Sequence, residues 1–449
     1  SETLAAIPVA SATEALQGKM AGVQITTTEG SPDAQMSIRV RGGGSITQSN
    51  EPLFIVDGFP VESISDIPPT DIESIDVLKD ASSTAIYGAR GANGVIIVTT
   101  KSGKEGKVSV SYNAYYAWKK VAKTLDVLSA SDYTKWQYEL AQLTNKNDDY
   151  IKYFGNYQDL DMYDNVATND WQDLTFGRTG HSFNHNLSIN GGSDKFKYSF
   201  SYSHIDDKAI MQMSDYARDN LNLKLNHKPL KNVSLDFSAR FSKTKINGGG
   251  SNDANSSLNT DKRLKYSLLY TPYPVPGISD ALNADEEDAN SLLINPLISL
   301  RDNDTRKERI NYNLAGSITW EIIKDLKLKA EVGYDDYRNN ADRYYGVTTY
   351  YVRNNVDDED KSKPAISFTR GTRTAFRSTN TLSYDFKKFF KNNKNHLNLL
   401  AGQEYIVTRE RELRNVVHGF PTEYTADDCI NYSTKGNPYE VTNYGYPDD

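Results

Sequence analysis

Lys107-Val108-Ser109-Val110-Ser111-Tyr112-Asn113-Ala114-Tyr115-Tyr116-Ala117-Trp118 alternates apolar with polar residues along an extended chain. Val108, Val110, Tyr112, Ala114, Tyr116 and Trp118 share one face of a strand, and Ser109, Ser111, Asn113 and Tyr115 share the other. A strand of about ten to twelve residues spans a bilayer when tilted. The same pattern returns down the chain. Phe183, His185, Leu187 and Ile189 oppose Ser182, Asn184, Asn186 and Ser188, and after the turn Gly191-Gly192-Ser193-Asp194 the run Phe196, Tyr198, Phe200, Tyr202 faces away from Lys197, Ser199 and Ser201.

Further strands are predicted through Leu221-Leu225, Val233-Phe241, Ile310-Trp320, Leu326-Tyr334, Phe376-Phe386 and Leu397-Val407, about nine in all. Short links at 191–194, 228–232 and 323–325, with a longer one near 387–395, alternate with long connections at 119–180, 206–215, 246–308 and 339–371. Long loops therefore gather at one end, as in outer-membrane barrels and unlike a soluble sandwich. An open sheet leaves unpaired edges in lipid, so about nine strands predict an incomplete barrel and a chain that is a piece of a longer protein. Ser1, standing where an initiator Met or signal peptide is expected, points to a processed product or fragment.

Composition narrows the function. The 449 residues are 38% hydrophobic with a mean hydropathy of -0.63, and no run of about 18 apolar residues predicts a membrane helix. Alternating strands hide their apolar face from such averages. With 51 basic against 59 acidic residues, net -8, a nucleic-acid partner is not expected. One cysteine, Cys429, excludes an internal disulfide and a cysteine zinc site, and six histidines are scattered. Tyr (30) outnumbers Phe (15), which suits strand faces, membrane interfaces and sugar-binding loops alike.

No catalytic residue is predicted: GxSxG, HExxH and CxxC are absent. His181 and His185, four apart on a strand, stand about 13 Å apart and cannot share one zinc. The acidic runs 285–288 and 357–360 lack the glycine of a calcium-binding loop and read as solvated loops. No metal site and no cofactor are expected.

Residues 1–106 read as a small α+β unit, followed over 107–449 by the antiparallel barrel strands. Ser11 and Glu14 form a capping-box pattern before a helix to Met20; strands follow at Val23-Thr27, Met36-Val40, Leu53-Val56 and Gly94-Thr100, and a helix is predicted over Asp80-Tyr87. The Gly42-Gly43-Gly44 run reads as a turn, and Gly88, Gly91 and Gly94 as sites of close backbone packing.

Three stretches carry a family resemblance: Arg39-Val40-Arg41-Gly42; Ser49 to Val61, with Leu53-Phe54-Ile55-Val56-Asp57-Gly58 at its centre; and Asp71 to Lys101, with Ala85-Ile86-Tyr87-Gly88-Ala89-Arg90-Gly91-Ala92-Asn93-Gly94. They resemble the plug-domain signature of the SusC/RagA family, TonB-dependent outer-membrane transporters of Bacteroidetes. The resemblance covers the plug alone. It implies a barrel of about twenty-two strands, TonB as partner through an amino-terminal segment ahead of the plug, and a SusD-like lipoprotein over the extracellular mouth. It also implies energy-coupled import of oligosaccharides or peptides. A siderophore or vitamin receptor of the same fold is the alternative reading, and a non-transporting surface carbohydrate-binding β-protein a more distant one.

Arg39, Arg41 and Arg90, inside a barrel, need carboxylate partners, which lumen-facing Glu331 or Asp335 supply; the resemblance implies such pairs as a lock between plug and barrel. Trp136 and the tyrosines Tyr344, Tyr345, Tyr350 and Tyr351 on long loops are candidates for stacking on ligand, while Tyr116 and Trp118 fit an interfacial girdle facing outer-membrane lipid.

Overall fold

The computed structural model describes residues 12–20, 22–27, 36–40, 50–61, 63–80, 84–248, 263–276, 278, 294–349, 351–352, 359–360, 362–386 and 397–438. The amino-terminal unit begins with helix α1 (Ala12–Leu16), which ends a turn short of Met20. Strands β1 (Val23–Thr27) and β2 (Met36–Val40) pair antiparallel. Beside them β3 (Leu53–Val56), β4 (Phe59–Val61), β5 (Ile72–Leu78) and β6 (Val95–Thr100) form a sheet of order β4-β3-β6-β5, with β3 parallel to β6. The β-branched run Val95-Ile96-Ile97-Val98 takes a central position because it is apolar on both faces. Ile96 and Val98 of this run join Ile38, Val40, Phe54, Val56, Ile64 and Ile72 in one core.

Asp57 (φ 51°) and Gly58 (φ 89°) make the two-residue turn between β3 and β4, the left-handed geometry a tight hairpin requires. Gly94 (φ 93°) lies so close to β2 that a Cβ there would stand 2.9 Å from Val40, which is the close packing its position predicts. The helix predicted over Asp80-Tyr87 is instead largely a 3-10 segment, Ala85–Gly91, broken at Gly88; residues 81–83 and the Gly42-Gly44 run lie outside the described residues.

Nine long antiparallel strands then pair in chain order: β7 (Gly106–Lys119), β8 (Gly180–Gly192), β9 (Phe196–Lys208), β10 (Asp215–Leu230), β11 (Val233–Asn247), β12 (Thr305–Ile323), β13 (Leu326–Tyr345), β14 (Ala365–Asp385) and β15 (Asn398–His418). A two-residue strand, β16 (Asn437–Pro438), caps the β15 end. The wall is an open sheet. Tight turns join β8 to β9, β10 to β11 and β12 to β13, and the longer connections lie at the opposite end. Strands β13, β14 and β15 run for 20, 21 and 21 residues, well past their apolar windows. Backbone pairing continues where hydropathy alternation has stopped, which is why residues 339–345 and 365–371 are strand rather than loop.

The two faces of the wall are inverted relative to a soluble protein. Phe237 and Leu314 are 43% and 45% exposed, whereas Ser203 and Asn220, on the opposite face, are 4% and 5%. The polar face covers the amino-terminal unit; the apolar face is bare. Between β7 and β8, helices α2 (Ala130–Thr144), α3 (Asn147–Phe154) and α4 (Trp171–Phe176) form a small lobe. Its aromatic core of Tyr133, Tyr150 and Phe154 is completed by Tyr273 from the β11 to β12 connection. No helix among the described residues is long and apolar enough to cross a membrane.

Candidate functional site

The site is the contact between the amino-terminal unit and the polar face of the wall. Its centre is the β3–β4 hairpin. The Asp57 carboxylate accepts from the Thr100 backbone N–H at 2.8 Å and hydroxyl at 2.7 Å, which ties the hairpin to the end of β6. Lys224, inward on β10, donates to the same carboxylate at 2.7 Å and to the Thr100 carbonyl at 2.8 Å. Burial by itself would raise the Asp57 carboxyl, but the charges of Lys224 and Arg240 and these hydrogen bonds prevail and hold it below its ordinary value.

The next two residues of the hairpin are held from the other side. Arg377, inward on β14, donates to the Gly58 carbonyl and sets its guanidinium 5.3 Å from the Phe59 ring centre. Phe59 rests on β13 at Gly333, where any Cβ would run into the ring. The same Arg377 pairs with Glu404 of β15 at 2.7 Å, and Glu404 also accepts from Arg90 at 2.9 Å. One carboxylate thus bridges an arginine of the amino-terminal unit and an arginine of the wall.

A third group of contacts lies along residues 65–71. Arg218, buried on β10, donates to the Ser65 carbonyl at 2.8 Å; Arg309 of β12 pairs with Asp66 at 3.4 Å; and Asn186 of β8 donates to the Thr70 hydroxyl at 2.9 Å. Asp71 is buried here. Desolvation pushes its carboxyl above the ordinary value, only partly offset by hydrogen bonds from Ser201 and Asn186 and by the charge of Lys101.

Of the arginines singled out in the sequence, Arg90 reaches a wall carboxylate, but that carboxylate is Glu404. Glu331 faces the lumen side yet pairs with Lys329 of its own strand at 2.8 Å, because residues two apart on a strand share a face. Asp335 accepts from Asn313 and stands 3.9 Å from Arg373. Arg39 is exposed on β2, and Arg41 lies outside the described residues. Two of the tyrosines expected on a long loop lie on a strand instead. Tyr344 and Tyr345 end β13 and are buried; Tyr344 donates to the Tyr424 carbonyl, and Tyr345 stacks on Tyr351 with ring centres 4.4 Å apart. Packing against neighbouring connections, rather than solvent, is what these rings meet. Tyr350 lies outside the described residues, and Trp136 is exposed on α2.

Asp57, Lys224, Arg377, Glu404 and Arg309 are the residues that motif reading passes over. Their signal in sequence is charge at inward positions of membrane-length strands, and an aspartate at a turn whose partner cannot be named locally.

A sheet whose polar face holds a separately folded unit and whose apolar face is bare defines the plugged β-barrel class of protein. Residues 1–95 match the TonB-dependent Receptor Plug Domain family. Over 217 residues the chain is 40% identical to the TonB-dependent receptor SusC of Bacteroides thetaiotaomicron, covering 46% of this chain and 20% of that one. Over 419 residues it is 31% identical to the TonB-dependent receptor P3 of Formosa agariphila, covering 90% of this chain and 37% of the relative. The fold matches the structure of the RagAB peptide transporter with a TM-score of 0.71 at 24% identity, covering 94% of this chain and 48% of that one. The chain is thus similar to SusC-type TonB-dependent receptors over most of its length, and the plug-domain match lies at its amino-terminal end. It spans less than half the length of each of these relatives.

Proposed function

We propose that the protein imports oligosaccharides or peptides across the outer membrane, driven through TonB and assisted by a SusD-like lipoprotein at the extracellular mouth. Residues 1–106 act as the plug and 107–449 as wall. The observation that carries this reading is the inverted wall: its polar face is occupied by the plug through ion pairs, and its apolar face is suited to lipid. No bond is made or broken. Work done on the plug through TonB must break a small set of polar contacts, of which Asp57 with Lys224 and Arg90 with Glu404 are the principal ones. The plug is an α/β unit with its own apolar core, so it can shift as a body once those contacts open. Among the candidate aromatics, Trp136 remains available for ligand.

The test is uptake by cells carrying the full-length protein. Labelled oligosaccharide or peptide is expected to accumulate only when TonB and the proton gradient are intact. Uptake of a ferric siderophore or vitamin in their place overturns the substrate class, and accumulation independent of TonB overturns the mechanism.

A further inference from the structure

The outward face of β13, β14 and β15 changes character just beyond its apolar band. The band ends with Tyr334, Phe376 and Val407, which are paired across the three strands. The next outward positions toward the long-loop end are Asp336, Thr374 and Arg409, then Arg338, Thr372 and Arg411. Neighbouring strands are about 4.8 Å apart, so two threonine hydroxyls lie in a shallow strip flanked by Arg338 on one side and Arg409 and Arg411 on the other. Arg338 is engaged by Asp336 at 3.0 Å, and Arg370 further up is engaged by Asp342 at 2.6 Å. Arg409 and Arg411 are exposed and make no hydrogen bond or ion pair with any described residue. Among the described residues, the strip therefore carries two positive charges with no carboxylate partner.

We infer that this strip binds the phosphate-bearing head group of an outer-leaflet lipid, a claim that rests on the outer-membrane reading above. Charge complementarity and continuity argue for that occupant. The strip begins about 7 Å along the strands above the last apolar row and extends roughly another 7 Å, which is head-group depth when the row below lies in hydrocarbon. Guanidinium groups bind phosphate oxygens through paired N–H donors, and the threonine hydroxyls supply neutral donors between them. Acyl chains of the same lipid would lie on Tyr334, Phe376, Tyr405 and Val407 directly below. A soluble anion would satisfy the head-group contacts without using that apolar surface.

The test uses the full-length protein in mild detergent, with native mass spectrometry of retained lipid A and of its dephosphorylated counterpart. Wild type is expected to retain the phosphorylated lipid, and R409Q/R411Q to lose it on the order of tenfold, as the removal of two interfacial cations predicts. T372V/T374V is expected to fall between them. K245Q, which removes an outward cation elsewhere on the wall, should match wild type. Equal retention by R409Q/R411Q, equal binding of the dephosphorylated lipid, or displacement by inorganic phosphate at low millimolar concentration would each overturn the inference. Wild-type protein that fails to fractionate with outer membranes overturns instead the reading on which it rests.

Discussion

The Lys224 ammonium stands 2.7 Å from the Asp57 carboxylate and 2.8 Å from the Thr100 carbonyl, so one wall residue holds both the tip of the β3–β4 hairpin and the end of β6. These are the hairpin that meets the wall and the strand from which the chain leaves the plug. Both partners are largely shielded from water, so the pair cannot be replaced by solvent when one member is removed.

Lys224→Met is accordingly expected to weaken plug docking by about 3 kcal/mol, the cost of leaving a shielded carboxylate short of its cation. Asp57→Asn in the same protein should restore part of the loss, because the stranded charge is gone. Hydrogen exchange of plug amides in the full-length protein measures both. A double variant no better protected than K224M alone would mean that the pair is not coupled.

Acid dependence separates two plug carboxyls. Asp57 is held below its ordinary 3.8, so its contribution is complete above that value and is lost as pH falls through the lower folded value. Asp71 is raised above 3.8: the docked plug holds its proton more tightly than the unfolded chain does, so its contribution is complete below 3.8 and is lost as pH rises from there through the folded value. Acidification back through that value restores it. Asp71→Asn should therefore raise stability near neutral pH and abolish the gain that wild type shows on moderate acidification, read as urea midpoints across a pH series.

Gly333 and Gly316 provide a matched pair on the wall. Ala at 333 must displace the Phe59 ring, whereas the nearest atom to a Cβ at 316 is 3.9 Å away. Gly333→Ala is expected to cost about 1–3 kcal/mol through overpacking, and Gly316→Ala close to nothing. Proteolysis of the plug in folded protein distinguishes them. If F59L fails to relieve the G333A defect, the ring is not the obstacle.

What could be read from sequence followed from what lipid imposes. Every outward apolar run from Val108 to Val407 is visible because a bilayer enforces period-two alternation, and the turns between runs fix which end bears the long connections. Tyr344 and Tyr345 read as loop residues because β13 continues past the apolar band, where both faces are polar or covered and hydropathy no longer marks the strand. The helical lobe was hidden for a related reason: Tyr133 packs on Tyr273 from a different connection, so neither segment signals a core alone. At the site, Arg90 stands out in a recognisable stretch, but Asp57 reads as a turn residue, and its partner lies 167 positions away. Pairing across that separation is a property of the folded sheet register, not of any window of sequence.

That register makes the wall's orientation testable residue by residue. Leu314 lies midway along the outward apolar run of β12, which continues past the row of Ala239 and Tyr334 to Tyr312 and Ile310, and Ala315 next to it is turned inward and buried. Placing a guanidinium at Leu314 forces it into hydrocarbon, expected to cost about 2–4 kcal/mol. The same change at Asn340, outward on β13 but six residues beyond Tyr334 of the Leu314 row, reaches head groups and should cost no more than about 1 kcal/mol. Unfolding of the full-length protein from lipid bilayers measures the difference. Equal costs at the two positions would mean that the apolar face does not meet lipid, because only a bilayer penalises the same charge according to its depth.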